Sequence, residues 1–420
     1  MHSPLQFLPM SECDIAIIGG GAAGYFAAIA AAEANPALRV MILERNRNPL
    51  SKVRISGGGR CNVTNACFDP AELVKNYPRG AQALRGPFTR FAPQDTMAWF
   101  ERRGVTLKTE RDGRVFPITD DSATIVNCLM DAAARAGVSL RTGANVGGVQ
   151  RVAGGYAITL LPPRADDNAQ EILCAKLLLA SGSSAKGWAM AHALGHTIIA
   201  PAPSLFSFVL SAPALQDLAG VAVKEARLRL DGTRHEQTGP VLITHQGLSG
   251  PAALKLSAWA ARELHERQYA AGLEVSWLPH LHDDALRKTL TEYKQSRGPQ
   301  LVAAHSPFGV LPHRLWQKLA HAAEIHEDQR WAKLPRANVE KLIRELLHGR
   351  YAICGKGEFK EEFVTCGGVA LDEVNFKTME SKLLPGLFFA GEVLDIDALT
   401  GGFNLQNAWT TGWIAGNAMA

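Results

Sequence analysis

The chain predicts an α/β protein, a parallel sheet with helices packed on it, into which a β-barrel-like segment and then a helical segment are inserted. Three observations carry that reading. A short apolar strand runs through glycines into an alanine-rich helix within residues 14–34. Strand and glycine texture returns only late, in FVTCGGVALDEV, PGLFFAGEVLD and the closing NLQNAWTTGWIAGNAMA. Between them the pattern changes twice, first to widely spaced strands and then to long helical stretches. A sheet begun near one end and completed near the other makes the middle an insertion.

Taken in order, DIAII (14–18) is a continuous apolar run ending in glycine, as expected of a strand covered on both faces. AAGYFAAIAAAEA (22–34) is dominated by the strongest helix former, and RVMIL (39–43) reads as a second strand, closing a βαβ unit. Helical patterns follow at 94–103 and 120–136, the second led by Asp120, Asp121 and Ser122 as caps. GVSLRTG (137–143) reads as a third strand, and VGGVQRV, GYAITLL and KLLLASG as returning or antiparallel strands. SLFSFVL, VAVKEARLRL, GPVLITH and LEVSWLP predict a small β domain; residues 280–350 are helical, broken at SRGPQ, HSPFG and LPRAN. The expected division is a split α/β domain over 1–198 and 353–420, a barrel-like insert over 199–279 and a helical insert over 280–352.

Composition bounds the function. A chain of 420 residues, 47% hydrophobic, buries a large core. A net charge of +4 is too weak to imply nucleic acid unless it is concentrated on one face. Seven cysteines, with no CxxC and no Cys/His group at zinc spacing, give no reason to expect a disulfide framework or a structural metal. MHSPLQFLPMSEC lacks the basic and apolar regions of a signal peptide, and no apolar run is long enough to span a membrane. A soluble, cytoplasmic protein is the expected class.

Gly19, Gly21 and Gly24 form GxGxxG between the first strand and its helix, and Glu44 ends the second strand 25 residues after Gly19. That context makes it a Rossmann-type fingerprint. Gly19 permits the tight turn, Gly21 admits a pyrophosphate to the backbone, Gly24 lets helix and strand close up, and Glu44 faces a ribose. Ala22, Ala23 and Arg45 belong to the same expected cofactor surface. The far end specifies the dinucleotide. Leu387–Ala390 is an apolar strand ending in Gly391-Glu392, placed to meet ribityl and pyrophosphate, and Gly401, Gly402, Phe403, Asn404 and Leu405 turn into a helix whose dipole would stabilise a reduced flavin. FAD is therefore the expected cofactor, with Val146 and Gly182 also lining it. CGKGEFK (354–360) lacks the third glycine and a preceding strand, so no separate nicotinamide domain is expected, and NAD(P)H would dock transiently.

As a set, AIIGGGAAG, ISGGGRCNVTN, RDGRVFPITDDSATIV, THQGLSGP, GGVALDEVNFKTMESKLLPGLFFAGEVLD and TGGFNLQNAW resemble the BaiN/RdsA family of bacterial FAD-dependent oxidoreductases. The C-terminal blocks are also similar to fumarate reductase and aspartate oxidase flavoproteins. The resemblance covers most of the chain. It implies a two-dinucleotide-fold FAD domain with barrel and helical inserts, and reduction of a conjugated C=C bond, either in a steroid-type enone or in a uridine of ribosomal RNA. A flavin-loaded redox sensor without turnover is a third possibility. One block departs: where the family carries Ala-Thr-Gly-Gly, this chain has ASGSSAKGW and a shortened stretch after it.

SGGGRCNVTNAC (56–67) admits two readings. Cys61 and Cys67 are spaced almost like the dithiol of flavin disulfide reductases, yet with five residues between them they fall on different faces of a helix. The preferred reading is a loop in which Ser56, Gly57, Gly58 and Arg60 meet pyrophosphate, and Asn62, Thr64 and Asn65 meet ribityl or flavin edges. On the substrate side, the resemblance to fumarate reductases implies that Thr365, Cys366, Gly367 and Gly368 approach substrate. Cys366 or Cys61 would supply a proton, Arg60 would polarise a carbonyl, and His245 is an alternative donor. Residues 279–350 hold 12 Lys/Arg, 8 Asp/Glu, seven of the thirteen histidines, Trp316 and Trp331. That composition fits either solvated helices or a face toward RNA.

Overall fold

The computed structural model describes residues 12–162, 168–211, 213–357 and 364–420. The opening segment read against a signal peptide, and the end of CGKGEFK, lie outside them. The chain divides into two compact units, residues 1–201 with 364–420, and residues 202–363.

In the first unit β1 (Cys13–Ile18) runs into α1 (Ala22–Ala34) and returns as β2 (Val40–Glu44), parallel to β1 with Ile17 opposite Ile42. There follow α2 (Ser51–Ile55), β3 (Thr64–Asn65), two single-turn helices α3 (Pro70–Leu73) and α4 (Ala81–Leu84), and α5 (Pro93–Glu101). The hairpin β4 (Leu107–Thr109) and β5 (Arg114–Pro117) carries β3 on its edge. The Asp121 side chain caps α6 (Ser122–Arg135) by accepting from the Ala123 N–H at 2.8 Å. Next come β6 (Ser139–Thr142), β7 (Val146–Val152), β8 (Gly155–Leu160), β9 (Gln170–Leu179), α7 (Ala185–Ala193) and β10 (Ile198–Ser204).

In the second unit six strands close a barrel. They are β11 (Phe208–Leu210), β12 (Ala222–Leu230), β13 (Glu236–Ile243), β14 (Gly247–Ser249), β15 (Ala271–Ser276) and β16 (Gly349–Lys356), arranged β11-β14-β13-β12-β15-β16. Its helices are α8 (Pro251–Trp259), α9 (Ala261–Glu266), α10 (Asp283–Ser296), α11 (His313–Ala322) and α12 (Arg336–Leu347). The sequence reading missed β14 and β16. Because β16 pairs with both β15 and β11, the helical segment is an excursion between two neighbouring barrel strands, and the barrel extends beyond residue 353. Trp316 and Trp331 are fully buried and stack on one another with ring centroids 6.3 Å apart. They belong to the helical core, which removes them as stacking partners for RNA bases.

The chain returns to the first unit as β17 (Val364–Val369), which pairs with β10. β18 (Val374–Asn375), β19 (Glu380–Ser381), β20 (Leu387–Phe389) and α13 (Phe403–Met419) complete it. Five strands run parallel in the order β20-β9-β1-β2-β6, so the late strand predicted at 387–390 lies beside β9, with Phe388 opposite Leu178. α13 packs on α1 through small residues. A Cβ at Gly412 would fall 2.6 Å from the Ala23 carbonyl oxygen, and one at Gly416 2.3 Å from that of Ala27. The pairing of 23 with 412 and 27 with 416 makes the two helices parallel.

Candidate functional site

The fingerprint turn has the geometry its glycines require. Gly19 has φ +114°, and a Cβ there would lie 2.4 Å from the Ala180 carbonyl oxygen; one on Gly24 would lie 2.0 Å from that of Gly19. Gly21, by contrast, has nothing within 4 Å of a Cβ position. α1 starts at this open face with no side-chain cap and no acid in its first turn, so its orphan N–H groups and positive dipole end are left for an anion. Glu44 accepts from the Gly20 N–H and the Asn46 N–H, each at 2.7 Å, which fixes the carboxylate beside the turn. Arg45 is exposed, and Val146, at the start of β7, is buried. In the first unit, the buried Tyr25 OH, Ser181 Oγ and Asn407 Oδ1 have no hydrogen-bond partner among the described residues. Burial, with the Glu44 carboxylate nearby, pushes the Tyr25 hydroxyl up to about 12. Ser181 lies against Gly19, and Asn407 is one turn before Thr411, whose hydroxyl accepts from the Gly391 N–H at 2.9 Å.

The second helix start is built by the segment after Cys61. Asn62, with its amide oriented to satisfy both neighbours, accepts from the Gly402 N–H at 2.9 Å and donates to the Thr64 carbonyl. Thr64 Oγ1 donates to Gln406 Oε1 at 2.5 Å, and Asn65 Nδ2 to the Gly401 carbonyl at 3.0 Å. These three side chains are buried and committed to the turn at 401–406. They position the start of α13 through these bonds. Asn404 clasps Ala398 with both amide atoms, and the Tyr77 hydroxyl donates to the Phe403 carbonyl at 2.6 Å. Leu405 is half-buried. Gln406, Thr96, Tyr77 and Asn407 were not singled out in the sequence; the run NLQN, four uncharged residues at a helix start, is the only signal that pointed there.

The glycine loop differs more. Gly57, Gly58 and Gly59 are consecutive left-handed residues on the surface, and Ser56 folds back to donate to the Val53 carbonyl at 2.9 Å. Arg60 is held by Glu110 at 2.8 Å and Asp120 at 3.5 Å, with its guanidinium 3.9 Å over the Phe116 ring. Two carboxylates thus flank its guanidinium, both at the same nitrogen. Cys61 is fully buried, and burial pushes its thiol up to about 12. Cys366 is also fully buried. A catalytic acid works best with a pKa near the working pH, so a Cys61 thiol at about 12 is poorly suited to the proton delivery expected of it. All seven cysteines are free thiols, Cys61 and Cys67 included. His245 lies exposed on the turn between β13 and β14 in the second unit, and the helix expected after Ser249 starts at Pro251 with Gly250 as its cap.

On β17, Thr365 N–H donates to Glu392 Oε1 at 3.3 Å and Gly367 N–H to Asp395 Oδ1 at 2.9 Å, so the TCGG segment is tied to the residues after β20. Glu392 Oε2 accepts from Lys52 Nζ at 2.5 Å, and the same ammonium donates to Ser183 Oγ at 3.0 Å. Gly182 is left-handed, and a Cβ there would lie 3.8 Å from that carboxylate. Lys52 was not anticipated. Arg79 grips the fully buried Asp397 through two nitrogens and stitches residue 79 to the turn before α13.

A further constellation has the layout of a Ser–His–acid triad and no room to act as one. His196 Nδ1 lies 2.9 Å from Glu373 Oε2, and Nε2 lies 2.9 Å from Ser381 Oγ. Ser381 Oγ also accepts the Leu383 and Leu384 N–H groups at 3.0 and 2.9 Å, which occupies the lone pairs a nucleophile needs. Burial holds His196 below its ordinary value despite the carboxylate.

A fingerprint turn, a second parallel helix start beside it and a barrel insert define a protein of the flavoprotein oxidoreductase class. The chain belongs to the HI0933-like family: its residues 13–418 match the HI0933-like protein Rossmann domain. It is 31% identical to the 3-dehydro-bile acid delta(4,6)-reductase of Clostridium scindens over 97% of this chain and 98% of that one. It is also 31% identical to the ribosomal RNA dihydrouridine synthase of Escherichia coli, over 96% and 97%. The fold is shared with a flavocytochrome c3 fumarate reductase in its open conformation, at a TM-score of 0.52 and 16% identity, over 98% of this chain and 78% of that one. Among the described residues no helix is long and apolar enough to cross a membrane.

Proposed function

We propose that the chain is an FAD-dependent reductase of an activated C=C bond, with NAD(P)H docking transiently as the electron donor. One observation carries the cofactor assignment. α13 begins nine residues before its contact at Gly412, whereas α1 begins one residue before the partner Ala23, so the two parallel helix starts are staggered by about 12 Å at 1.5 Å per residue. Neither start carries a side-chain cap or an acid in its first turn. Two uncapped dipole ends in tandem suit a ligand that is anionic at its middle and gains charge at one end. Bound FAD supplies hydride transfer to an electron-poor carbon. The chain's own residues would do the rest. Gly19, Gly21, Ala22, Ala23 and Gly24 receive the pyrophosphate, Glu44 a ribose hydroxyl and Gly391-Glu392 the ribityl chain. Phe403, Asn404 and Leu405 present N–H groups where negative charge develops. The names of the two relatives support the reaction class, because a delta(4,6)-reductase and a dihydrouridine synthase both act on a C=C bond.

A small enone is the preferred acceptor. Uridine in ribosomal RNA is the second reading, supported by the dihydrouridine synthase relative. The test is an anaerobic reductive titration of the purified flavoprotein, followed by mixing with a 3-oxo-Δ4 steroid or with ribosomal RNA. Full bleaching by two electrons per flavin, then rapid reoxidation by the steroid, is the expected result. Reoxidation by RNA alone favours the second reading; reoxidation by neither favours a sensor, and uptake of four electrons restores the Cys61/Cys67 dithiol.

A further inference from the structure

The Lys52–Glu392 pair stands where the proposed dinucleotide must lie. Three segments converge on it, each tied independently to the fingerprint turn. Lys52 follows Leu50, whose N–H donates to the Gly20 carbonyl at 2.9 Å. Ser183 follows Ala180 and Ser181, which crowd Gly19, with the Ala180 oxygen 2.4 Å from its Cβ position. Glu392 follows Gly391, whose Cβ position is 2.9 Å from the Ala23 methyl. The ammonium therefore sits at the turn that opens onto uncapped α1. In this arrangement each Glu392 oxygen already accepts one hydrogen bond, one from Lys52 and one from the Thr365 N–H. Lys52 is 58% exposed, so its long side chain is free to redirect without disturbing the core.

We infer that Lys52 is a cofactor-binding residue that exchanges partners when the dinucleotide enters. Its ammonium leaves Glu392 for the pyrophosphate, and the freed carboxylate takes a cofactor hydroxyl. A pyrophosphate with its two negative charges beside a helix N-terminus outcompetes a single carboxylate for the same cation. This inference rests on the FAD reading of the site.

The experiment is titration of cofactor-free protein with FAD, read by quenching of flavin fluorescence, for the wild type and for Lys52→Met, Lys52→Arg and Glu392→Gln, with ADP as a displacing fragment. Lys52→Met is expected to weaken FAD and ADP alike by about tenfold to a hundredfold, the range for one charge-assisted hydrogen bond, and Lys52→Arg to restore most of it. Glu392→Gln removes the competing carboxylate and is expected to tighten ADP, which has no ribityl chain to lose. Unchanged or tighter FAD binding by Lys52→Met would overturn the exchange while leaving FAD as cofactor. Failure of the wild type to bind FAD at all would instead sink the cofactor reading, and the exchange with it. Thermal melting of each cofactor-free variant separates a folding defect from lost affinity.

Discussion

At the scale of single residues, the site is governed by which charges find partners. Arg79 and Asp397 form a buried two-pronged pair, and removing one member strands the other in a dry environment. Arg79→Met is expected to destabilise the chain by about 3–5 kcal/mol, measured by urea unfolding. His196 gives a pH dependence with a definite sign. Its folded-state pKa lies below the ordinary 6.5, so the folded protein binds fewer protons than the unfolded chain. Its contribution to stability is complete above pH 6.5 and is lost as pH falls toward the folded-state value. Unfolding free energies measured from pH 8 to 5 should fall more steeply for the wild type than for His196→Gln, and parallel curves would remove His196 as the cause. The neighbouring groups are Glu373, Ser381 and the edge-on Phe389 ring.

At the scale of elements, the junction of α1 with α13 matters most. Alanines and glycines face each other there, because larger side chains would force apart the two helix starts that the proposed cofactor bridges. Gly416→Leu places a side chain against the Ala27 carbonyl, and overpacking of this kind costs about 1–3 kcal/mol. The expected outcome is a lower melting temperature together with loss of bound flavin absorbance. A flavin-replete, unstable variant would show that the stagger is not what holds the cofactor. βαβ start, alanine-rich helix and late strand were all legible, since each is specified by local periodicity. β14 and β16 were not. Three residues of β14 carry too little pattern to read, and β16 is a strand only because β15 and β11 lie on either side of it.

For the whole molecule, the second unit's helices carry exposed cations such as Arg297, Lys333, Arg336 and Arg344, which have no carboxylate partner among the described residues. Reversing these four to Glu is expected to lower affinity for ribosomal RNA and flatten its salt dependence, because each cation lost removes a candidate phosphate contact. Filter binding of ribosomal RNA across a salt series checks the second reading on the same variant. A steep salt slope that flattens in the variant would bring the helices into substrate recognition.

The sequence by itself determined the sheet, the fingerprint and the position of the second helix start, because these follow from chain-local propensities and from glycines at fixed spacing. Glu44 lies beside the fingerprint turn, where the 25-residue spacing from Gly19 put it. Only the tertiary structure decided what each polar side chain does. Asn62, Thr64 and Asn65 turned to the α13 start, Arg60 to Glu110 and Asp120, and Trp316 and Trp331 to the helical core. Lys52 turned toward a carboxylate 340 residues away. A hydrogen bond or ion pair depends on which groups arrive within about 3 Å once distant segments have packed, and no local pattern encodes that arrival.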